Sequence, residues 1–476
     1  MAGIVGTDVV EALRGADAAE QDRILVERSA EVAGVMADGF AGAQPELAAK
    51  SGFARWQVWA AAAAGVAGAV GVVVAPVVAL PVFTVLSTAY SLLHGVIAVA
   101  GLRAEEPETD RPLPEGELPF YTVLVPAYRE AAVIGDTVRQ LARLDYPADR
   151  LEVLVLVERH DPDTLRAVQA ASPPPFVRIV RLPPGPPQTK PRSVNLGLML
   201  ARGELLVIFD AEDRPEPDQL RRVAARFAAS DERLACVQAQ LLFRNAEVNW
   251  LTRQSALEYA LRFKFVLPGM VRLGMPIPLG GTSNHFRTET LRELGGWDAW
   301  NVTEDADLGM RCAALGKRVE MIEAVTWEEA IDRLGPWVRQ RTRWFKGFLL
   351  TAAVHTRRPG RTVRRFRASG LLSLLGVVAS APVTSAVQPV ASVLTLLALV
   401  GGSSLVGPVL LAQGVSIACW IGITYAAARR AGLAAPWSAV FAPVYSVLWS
   451  VAAWRAVHQL VVSPFSWEKT PHGEAG

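Results

Sequence analysis

The sequence predicts a globular α/β domain inserted between two groups of membrane-spanning helices. Hydrophobic residues occupy 51% of the 476 positions, which is high for a purely soluble protein. Two zones, 57–102 and 369–428, contain no Lys, Arg, Asp or Glu. The polar segment between them, about 250 residues long, is large enough for a domain with its own core. The net charge of +2 is near neutral and gives no indication of a nucleic-acid partner.

The first part of the chain, residues 1–55, is polar and predicted to be cytoplasmic. The stretch EQDRILVERSAEVAGVMADGF (20–40) has the periodicity of a small amphipathic helical element. A signal peptide is a poor alternative, because the segment is acidic rather than basic and then apolar.

The first apolar zone predicts two membrane helices within residues 56–103. A spanning helix needs about 20 apolar residues, and the zone accommodates spans near 57–78 and 80–102. Pro76 and Pro81 stand where the chain would turn back.

The segment 104–354 predicts an α/β domain with a parallel sheet, because strand-like and helix-like stretches alternate strictly. The strand-like stretches are FYTVLVPAY (120–128), LEVLVLVE (151–158), FVRIVRL (176–182) and GELLVIFDAE (203–212). The helix-like stretches are AAVIGDTVRQLARL (131–144), DPDTLRAVQAA (161–171) and KPRSVNLGLMLA (190–201). Ligands of such sheets bind beyond the carboxyl ends of the strands.

After the domain, residues 355–369 form a basic segment that contains HTRRPGRTVRRFR (355–367). Basic residues concentrate on the cytoplasmic side of membranes, which predicts that the domain lies inside the cell. Membrane helices are then expected in 370–462, followed by a tail at 463–476. One long span at 370–401 is favoured over two short ones, because ARRAG (428–432) has the composition of a cytoplasmic loop.

Three carboxylates, Asp210, Glu212 and Asp213, directly follow a predicted buried strand. Carboxylates at such a strand end suit a hard divalent cation, Mg²⁺ or Mn²⁺, that bridges to phosphate oxygens. The alternative is helix capping, since Asp213 precedes two prolines and the helix-like DQLRRVAARFAA (218–229). Both can hold at once, with Glu212 as the second metal ligand and Asp213 as the cap.

Each of two further clusters can have either a functional or a structural role. VTEDADLGMRCAALG (302–316) places Glu304 and Asp305 at the start of a predicted helix, as general-base candidates or as ordinary acids at a helix N-terminus. GPWVRQRTRWFKGF (335–348) offers Arg343 for phosphate and Trp344 for sugar stacking, or a membrane-interface anchor.

In this order the clusters resemble the membrane-embedded family-2 glycosyltransferases, the cellulose synthase-like and hyaluronan synthase-like enzymes. The family's DxD-type, TED and QxxRW motifs read here as Asp210-Ala211-Glu212, Thr303-Glu304-Asp305 and Gln340-Arg341-Thr342-Arg343-Trp344. VPAYREAAVIGDTV (125–138), TKPRSVNLG (189–197), GGTSNHFR (280–287) and the terminal WEKTPHG (467–473) are also similar to family segments. The resemblance covers about 119–350 and implies a Rossmann-like GT-A fold.

The resemblance also implies roles for individual residues. Asp305 would be the general base, with Glu304 beside it in the catalytic motif, and Asp210 with Glu212 or Asp213 would hold the metal. Residues expected near the nucleotide sugar are Pro126, Ala127, Tyr128, Glu130, Glu158, Lys190, Asp210 and Arg343, with Asn195 on the diphosphate side. Residues expected near the acceptor are Gly281, Thr282, Ser283, His285, Gln340 and Trp344.

The expected function is a processive, inverting transferase of the inner (plasma) membrane that builds a β-linked polysaccharide and translocates it. A UDP-hexose is favoured as donor and GDP-mannose is possible. One alternative is a non-processive enzyme that adds a single sugar to a lipid or short acceptor. Another is a catalytically silent scaffold or channel subunit of an export complex. The sequence identifies neither accessory export proteins nor an oligomeric state.

Overall fold

The computed structural model describes residues 8–103 and 111–468. Residues 1–7, part of the expected N-terminal segment, and 104–110, at the start of the expected domain, lie outside the described residues. The same holds for residues 469–476, which include most of WEKTPHG.

Three short helices form the N-terminal segment: α1 (Asp8–Gly15), α2 (Ala18–Glu27) and α3 (Ser29–Ala43). Several of their apolar residues, including Val9, Leu13 and Phe40, are buried. The segment packs on the α/β domain, where the Arg178 guanidinium donates to Asp22 Oδ1 at 2.6 Å. The periodicity seen in 20–40 thus reflects burial against the domain.

Two long apolar helices follow, α4 (Arg55–Val74) and α5 (Pro76–Leu102). The turn between them falls at Ala75, because Pro76 has no amide hydrogen to continue α4 and fits the first turn of α5. Gly101 of α5 lies directly against the domain, since a Cβ there would stand 1.9 Å from the carbonyl oxygen of Phe265.

The domain is built on one eight-stranded sheet with the order β3-β2-β1-β4-β7-β6-β8-β5. The strands are β1 (Tyr121–Ala127), β2 (Leu151–Glu158), β3 (Val177–Leu182), β4 (Leu205–Ile208), β5 (Arg214–Pro215), β6 (Leu234–Phe243), β7 (Asn284–Arg287) and β8 (Arg318–Glu328). The first four are parallel, with Tyr121 opposite Leu151 and Leu205.

The expected parallel arrangement is confirmed for β1 to β4, the strands recognised from the sequence, but the complete sheet is mixed. Strand β7 runs antiparallel to both β4 and β6, and β5 runs antiparallel to β8. The cause is where the chain enters β7: the Ser283 amide donates to the Ile208 carbonyl at 2.8 Å, at the carboxyl end of β4. A strand that starts at that edge must run back against β4.

Helices cover both faces of the sheet. They are α6 (Ile134–Leu141), α7 (Pro162–Ala170), α8 (Lys190–Leu200), α9 (Gln219–Ala228), α10 (Trp250–Leu261), α11 (Leu267–Arg272), α12 (Thr288–Glu293), α13 (Glu304–Ala314) and α14 (Leu334–Thr356). A π-helical turn, Arg262–Val266, joins α10 to α11. Every residue of β2 and β6 is buried, because these strands lie between two layers of helices.

The last part of the chain is helical and mostly apolar. It comprises α15 (Pro359–Arg365), α16 (Ala368–Ser373), α17 (Ser380–Val400), α18 (Val406–Arg430) and α19 (Ala442–Val462). A π-helical turn at Leu374–Ala379 joins α16 and α17 into one helix of 33 residues. Among the described residues, five helices are long and apolar enough to cross a bilayer: 55–74, 76–102, 368–400, 406–430 and 436–462. These helices indicate a membrane protein.

Candidate active site

A cleft opens at the sheet edge where the parallel strands end, between the domain and the amino-terminal half of α14. It contains about 880 Å³ of empty space, part of it open to solvent. Its polar lining combines acids and bases from distant parts of the chain: Lys190, Asp210, Glu212, Arg262, Thr282, Glu304, Asp305, Glu328, Gln340 and Arg343. Tyr259, Trp344 and Trp467 supply aromatic faces.

The three carboxylates in the turn after β4 have different environments. Asp213 Oδ2 accepts from the Asp210 amide at 2.7 Å and from the Thr282 hydroxyl, and only 1% of the residue is exposed. Burial, and then the charges of Asp210 and Glu212, raise the pKa of Asp213 well above its usual range. Glu212, in contrast, lines the cleft.

The expected capping role of Asp213 is wrong. Helix α9 begins at Gln219, with Asp218 before it. The intervening Arg214 and Pro215 pair with β8 as strand β5, and the Glu216 amide donates to the Val325 carbonyl at 3.0 Å. Because the chain is extended there, Asp213 stands too far from the helix and instead closes the turn.

Lys190 joins the acidic turn to the opposite wall of the cleft. Its ammonium forms an ion pair with Asp210 Oδ1 and donates to the Gly281 carbonyl at 2.6 Å. Burial lowers the pKa of Lys190, but Asp210 and Glu304 outweigh that effect, so the net shift is upward. The side chain is therefore a fixed positive charge at the base of the cleft.

Glu304 and Asp305 begin α13 with different environments. Glu304 is 5% exposed, whereas Asp305 is half-buried and faces the cleft. Asp305 Oδ1 accepts from the Ala306 amide at 2.7 Å, and Oδ2 points toward Gly281, 3.5 Å from where a Cβ would stand. Burial raises the pKa of both carboxyls, against the pull of Lys190 and Arg343. One Asp305 oxygen is thus oriented by the backbone and the other faces open space.

Helix α14 brings Gln340, Arg343 and Trp344 into the cleft. The charges of Glu304, Asp305 and Asp210 all act on the Arg343 guanidinium. That guanidinium lies 4.3 Å from the centre of the Trp467 ring. A cation between three acids and next to an aromatic face is well placed for an anionic, sugar-bearing ligand.

Several residues of the expected set do not line the cleft, and three of them are held inside the domain by other contacts. His285 is fully buried in β7, with its Nδ1 2.6 Å from the Tyr121 hydroxyl, and burial lowers its pKa to about 3. The Ser283 hydroxyl donates to Thr326 at 2.6 Å beneath the sheet edge. Asn195 bridges the backbone of Met36 and Trp297. These three side chains therefore do not line the cleft, whereas Gly281 and Thr282 do.

The expected nucleotide contacts lie at the ends of β1 and β2, along the same sheet edge. Pro126 and Ala127 end β1, and Tyr128 packs its ring against His160 at 5.6 Å. The Glu130 amide donates to the Thr164 hydroxyl at 2.9 Å. Glu158, at the end of β2, pairs with the buried Arg192 at 3.2 Å.

Sequence reasoning missed Arg262, Glu328, Tyr259 and Trp467. Glu328 ends β8, where burial and then Asp213, Glu212 and Asp210 raise its pKa. Trp467 reaches the cleft from beyond α19, held there because Lys346 donates to the Ser466 carbonyl at 2.7 Å. Only Trp467 had a signal in the sequence, namely the similarity of WEKTPHG (467–473) to a family segment. Arg262, Glu328 and Tyr259 lie in stretches without a recognisable motif.

Residues 119–347 match the sequence profile described as "Glycosyltransferase like family 2". The probable glycosyltransferase YdaM of Bacillus subtilis is 30% identical over 235 residues, 48% of this chain and 56% of the relative. The β-monoglucosyldiacylglycerol synthase of Synechocystis is 31% identical over 265 residues, 54% of each chain. Glucomannan 4-β-mannosyltransferase 2 of Arabidopsis thaliana is 30% identical over 217 residues, 44% of this chain and 40% of the relative. The chain spans about half the length of the curated relatives it matches.

A solved mannosyltransferase from Pyrobaculum calidifontis, in complex with GDP-Man and Mn²⁺, has a similar fold. It superposes on 80% of this chain and 99% of its own, with a TM-score of 0.55 and 21% identity. The three family motifs converge on one cleft, and the sheet has the Rossmann-like GT-A arrangement expected from them. In sequence, residues 119–347 are therefore similar to the family-2 glycosyltransferases, and in fold to a solved GT-A mannosyltransferase.

Proposed function

We propose that the chain is a processive, inverting glycosyltransferase that builds a β-linked polysaccharide and passes it through its own membrane helices. The observation that carries the proposal is a cavity between the apolar helices that has both apolar and polar side chains in its wall. Residues of α5, α17, α18 and α19 line a space of about 1040 Å³, part of it open to the surroundings, and the polar ones include Ser87, Thr88, Ser91, Thr384, Ser385, Gln388, Gln413 and Ser416. Polar groups at membrane depth are expensive, and these hydroxyls and amides can bind the hydroxyls of a glycan.

The position of the cavity supports an elongating product. Trp449 lines it, and the ring of Trp449 lies 6.4 Å from that of Phe345. Phe345 directly follows Trp344, which lines the cleft. About one layer of aromatic side chains thus separates the cavity from the acceptor end of the cleft. A polysaccharide extended in the cleft would have this cavity ahead of it.

In the cleft, Asp305 takes the proton from the acceptor hydroxyl. The acceptor oxygen attacks the anomeric carbon, the bond from that carbon to the diphosphate breaks, and the nucleotide diphosphate leaves with the electron pair. Displacement of an α-linked donor in this way gives a β-linkage. Lys190 and Arg343 compensate the charge of the leaving group, and Trp344 provides the stacking face for the acceptor sugar.

Asp210 and Glu212 are the residues that would hold Mg²⁺ or Mn²⁺. Among the described residues, no three His, Cys, Asp or Glu side chains are arranged to bind an ion by themselves. This fits a hard cation that takes one or two carboxylates and completes its shell with substrate phosphates. A bound divalent cation would stabilise the departing diphosphate.

A UDP-hexose remains the favoured donor, with GDP-mannose as the second candidate supported by the mannosyltransferase relatives. We further propose that the domain faces the cytoplasm at the inner (plasma) membrane. The basic residues of α15 and its flanks, next to the first residue of the long helix α16–α17, support that orientation.

A second candidate is a transferase that adds one sugar to a membrane lipid. It is favoured by the 31% identity to a β-monoglucosyldiacylglycerol synthase. Against it, the cavity next to the cleft contains hydroxyl and amide groups that can bind a glycan.

The test is product length from purified protein in lipid nanodiscs, supplied with UDP-glucose or GDP-mannose and Mg²⁺ or Mn²⁺. We expect long products, together with nucleotide release that requires the cation and Asp305. Single-sugar products would favour the lipid transferase, and nucleotide release independent of Asp305 would favour the silent scaffold.

Two variants of α17 sharpen the test. Ser385→Trp places a bulky ring in the cavity and should shorten the product while nucleotide release continues. Leu396→Trp, which faces outward with 59% of Leu396 exposed, should leave product length unchanged. Equal product lengths from the two variants would contradict translocation through this cavity.

A further inference from the structure

Arg341, the second residue of the QRTRW stretch, has a different location from its neighbours. It is 4% exposed and does not line the cleft, whereas Arg343 two positions later does. Residues two apart on a helix point about 200° apart. The stretch therefore divides between two faces of α14, one toward the substrate and one toward α10 and α19.

On that second face Arg341 forms a buried ion pair with Glu258 of α10. The other Glu258 oxygen accepts from the Tyr445 hydroxyl of α19 at 2.9 Å. The Tyr445 oxygen in turn accepts from Trp337 Nε1 at 3.1 Å. One carboxylate thus joins three helices, α10, α14 and α19.

The Arg341 guanidinium also fixes an aromatic side chain of the cleft. It lies 4.3 Å from the centre of the Trp344 ring and 5.2 Å from that of Trp337. Residues three apart on a helix are neighbours, so Arg341 contacts Trp344 from behind while the ring still lines the cleft. The Arg341 guanidinium fixes the orientation of the Trp344 ring, and Glu258 fixes the position of the guanidinium.

We propose that Glu258, Arg341 and Tyr445 form a positioning cluster that orients the Trp344 ring toward the acceptor, without contacting the donor. The inference rests on the acceptor role of Trp344 in the proposed function. Loss of the cluster should let the ring turn, so that the activated sugar is transferred to water rather than to the acceptor. Misplacement of an acceptor by about 1 Å is enough to reduce transfer strongly.

The readout is a coupling ratio: radiolabelled sugar incorporated into polymeric or lipid-extractable product, per nucleotide diphosphate released. It is measured in membranes that contain the full chain, with UDP-glucose or GDP-mannose as the donor probe. Glu258→Gln should lower the ratio about tenfold while total nucleotide release and donor KM stay within about twofold of wild type. Tyr445→Phe, which removes one hydroxyl, should lower it in the same direction by less, and Glu258→Asp should restore part of it.

The matched control is Glu247→Gln, which breaks the solvent-facing Arg253–Glu247 pair (3.2 Å) at the start of the same helix. It should leave the ratio unchanged. The inference is overturned if Glu258→Gln leaves the ratio unchanged, or if transfer and nucleotide release fall in parallel, as a merely structural role would produce. Trp344→Ala separates the two proposals: a low ratio in Trp344→Ala with a normal ratio in Glu258→Gln refutes the cluster alone. A normal ratio in Trp344→Ala refutes the acceptor role and the cluster with it.

Discussion

Asp305 is the residue on which the proposed chemistry of the cleft depends. Its Oδ1 is held by the Ala306 amide, and its Oδ2 faces the space beside Gly281. Asp305→Asn keeps the shape but cannot accept the proton, so we expect turnover to fall by about 10²–10⁴-fold. Binding of nucleotide sugar, measured by calorimetry, should survive. Turnover near the wild-type rate would refute the assignment of the base.

The same carboxyl predicts the pH dependence of transfer. Burial raises the pKa of Asp305, and only the deprotonated form accepts a proton. The rate should therefore fall as the pH drops through the raised pKa, with a midpoint above the ordinary Asp value of about 3.9. The rate of sugar incorporation under saturating donor, measured from pH 4 to 8 (roughly the range in which a perturbed carboxyl titrates), checks this. A midpoint at or below the ordinary value would contradict it.

The second ligand of the proposed metal site can be identified by comparing two adjacent acids. Asp213 Oδ2 already accepts two hydrogen bonds, and the residue is buried, whereas Glu212 lines the cleft. Glu212→Gln should raise the Mn²⁺ concentration needed for half-maximal activity about tenfold, the loss of one charged ligand contact. Asp213→Asn, which can still accept both bonds, should leave it near wild type. The reverse pattern would make Asp213 the ligand.

At the scale of elements, the cleft depends on close contact between α13 and α14. Gly347 of α14 lies against Thr303, and a Cβ there would stand 2.3 Å from the Thr303 hydroxyl oxygen. The Asp307 carboxylate and the His355 ring, 2.9 Å apart, join the same two helices farther along. Asp305 and Arg343 face each other because these contacts set the distance between the helices.

Gly347→Ala should therefore force α13 away from α14. We expect a loss of about 1–3 kcal/mol in the free energy of unfolding, typical of overpacking. The transfer rate should also fall, because Thr303 is two positions before the proposed base, Asp305. Gly335→Ala on the same helix is the control, since its new Cβ would meet only the end of the Arg339 side chain at 3.8 Å. Thermal unfolding of both variants in detergent gives the comparison, and equal midpoints would contradict the argument.

At the scale of the whole molecule, the contacts of α19 argue that it lies along the membrane surface. Before it, the Ser438 carbonyl accepts from Gln254 of the domain at 3.0 Å. After it, the Ser463 and Ser466 carbonyls accept from Lys346, and Trp467 lines the cleft. A helix with both ends on one domain does not cross a bilayer, although its length and composition allow it.

We therefore predict four spans, with the residues on both sides of α19 in the cytoplasm. Ala435→Cys and Val461→Cys should react with a membrane-impermeant maleimide only after intact cells are permeabilised. Ser403→Cys, between α17 and α18, should react from outside. Each is made in a background carrying Cys419→Ser, because Cys236 and Cys312 are buried. Labelling of Val461→Cys from outside would show that α19 spans the membrane.

The sequence by itself determined the first four strands, the long apolar helices and part of the inventory of the candidate site. Strand β2 follows from the apolar run at 153–157, and the α4 and α5 helices follow from a charge-free zone. Burial in a sheet core or a bilayer selects for apolar composition over a contiguous stretch. Short motifs with a fixed spacing along the chain made five residues of the candidate site recognisable: Asp210, Glu212, Asp305, Arg343 and Trp344.

Only the tertiary structure decided what depends on contacts between distant segments. It buried His285 under Tyr121 and Asn195 between Met36 and Trp297. It turned β7 antiparallel and brought Trp467 back over Arg343. It also paired Arg341 with Glu258, 83 positions away. These contacts depend on which surfaces of the protein pack together. The composition of one segment does not indicate which distant segment it will contact.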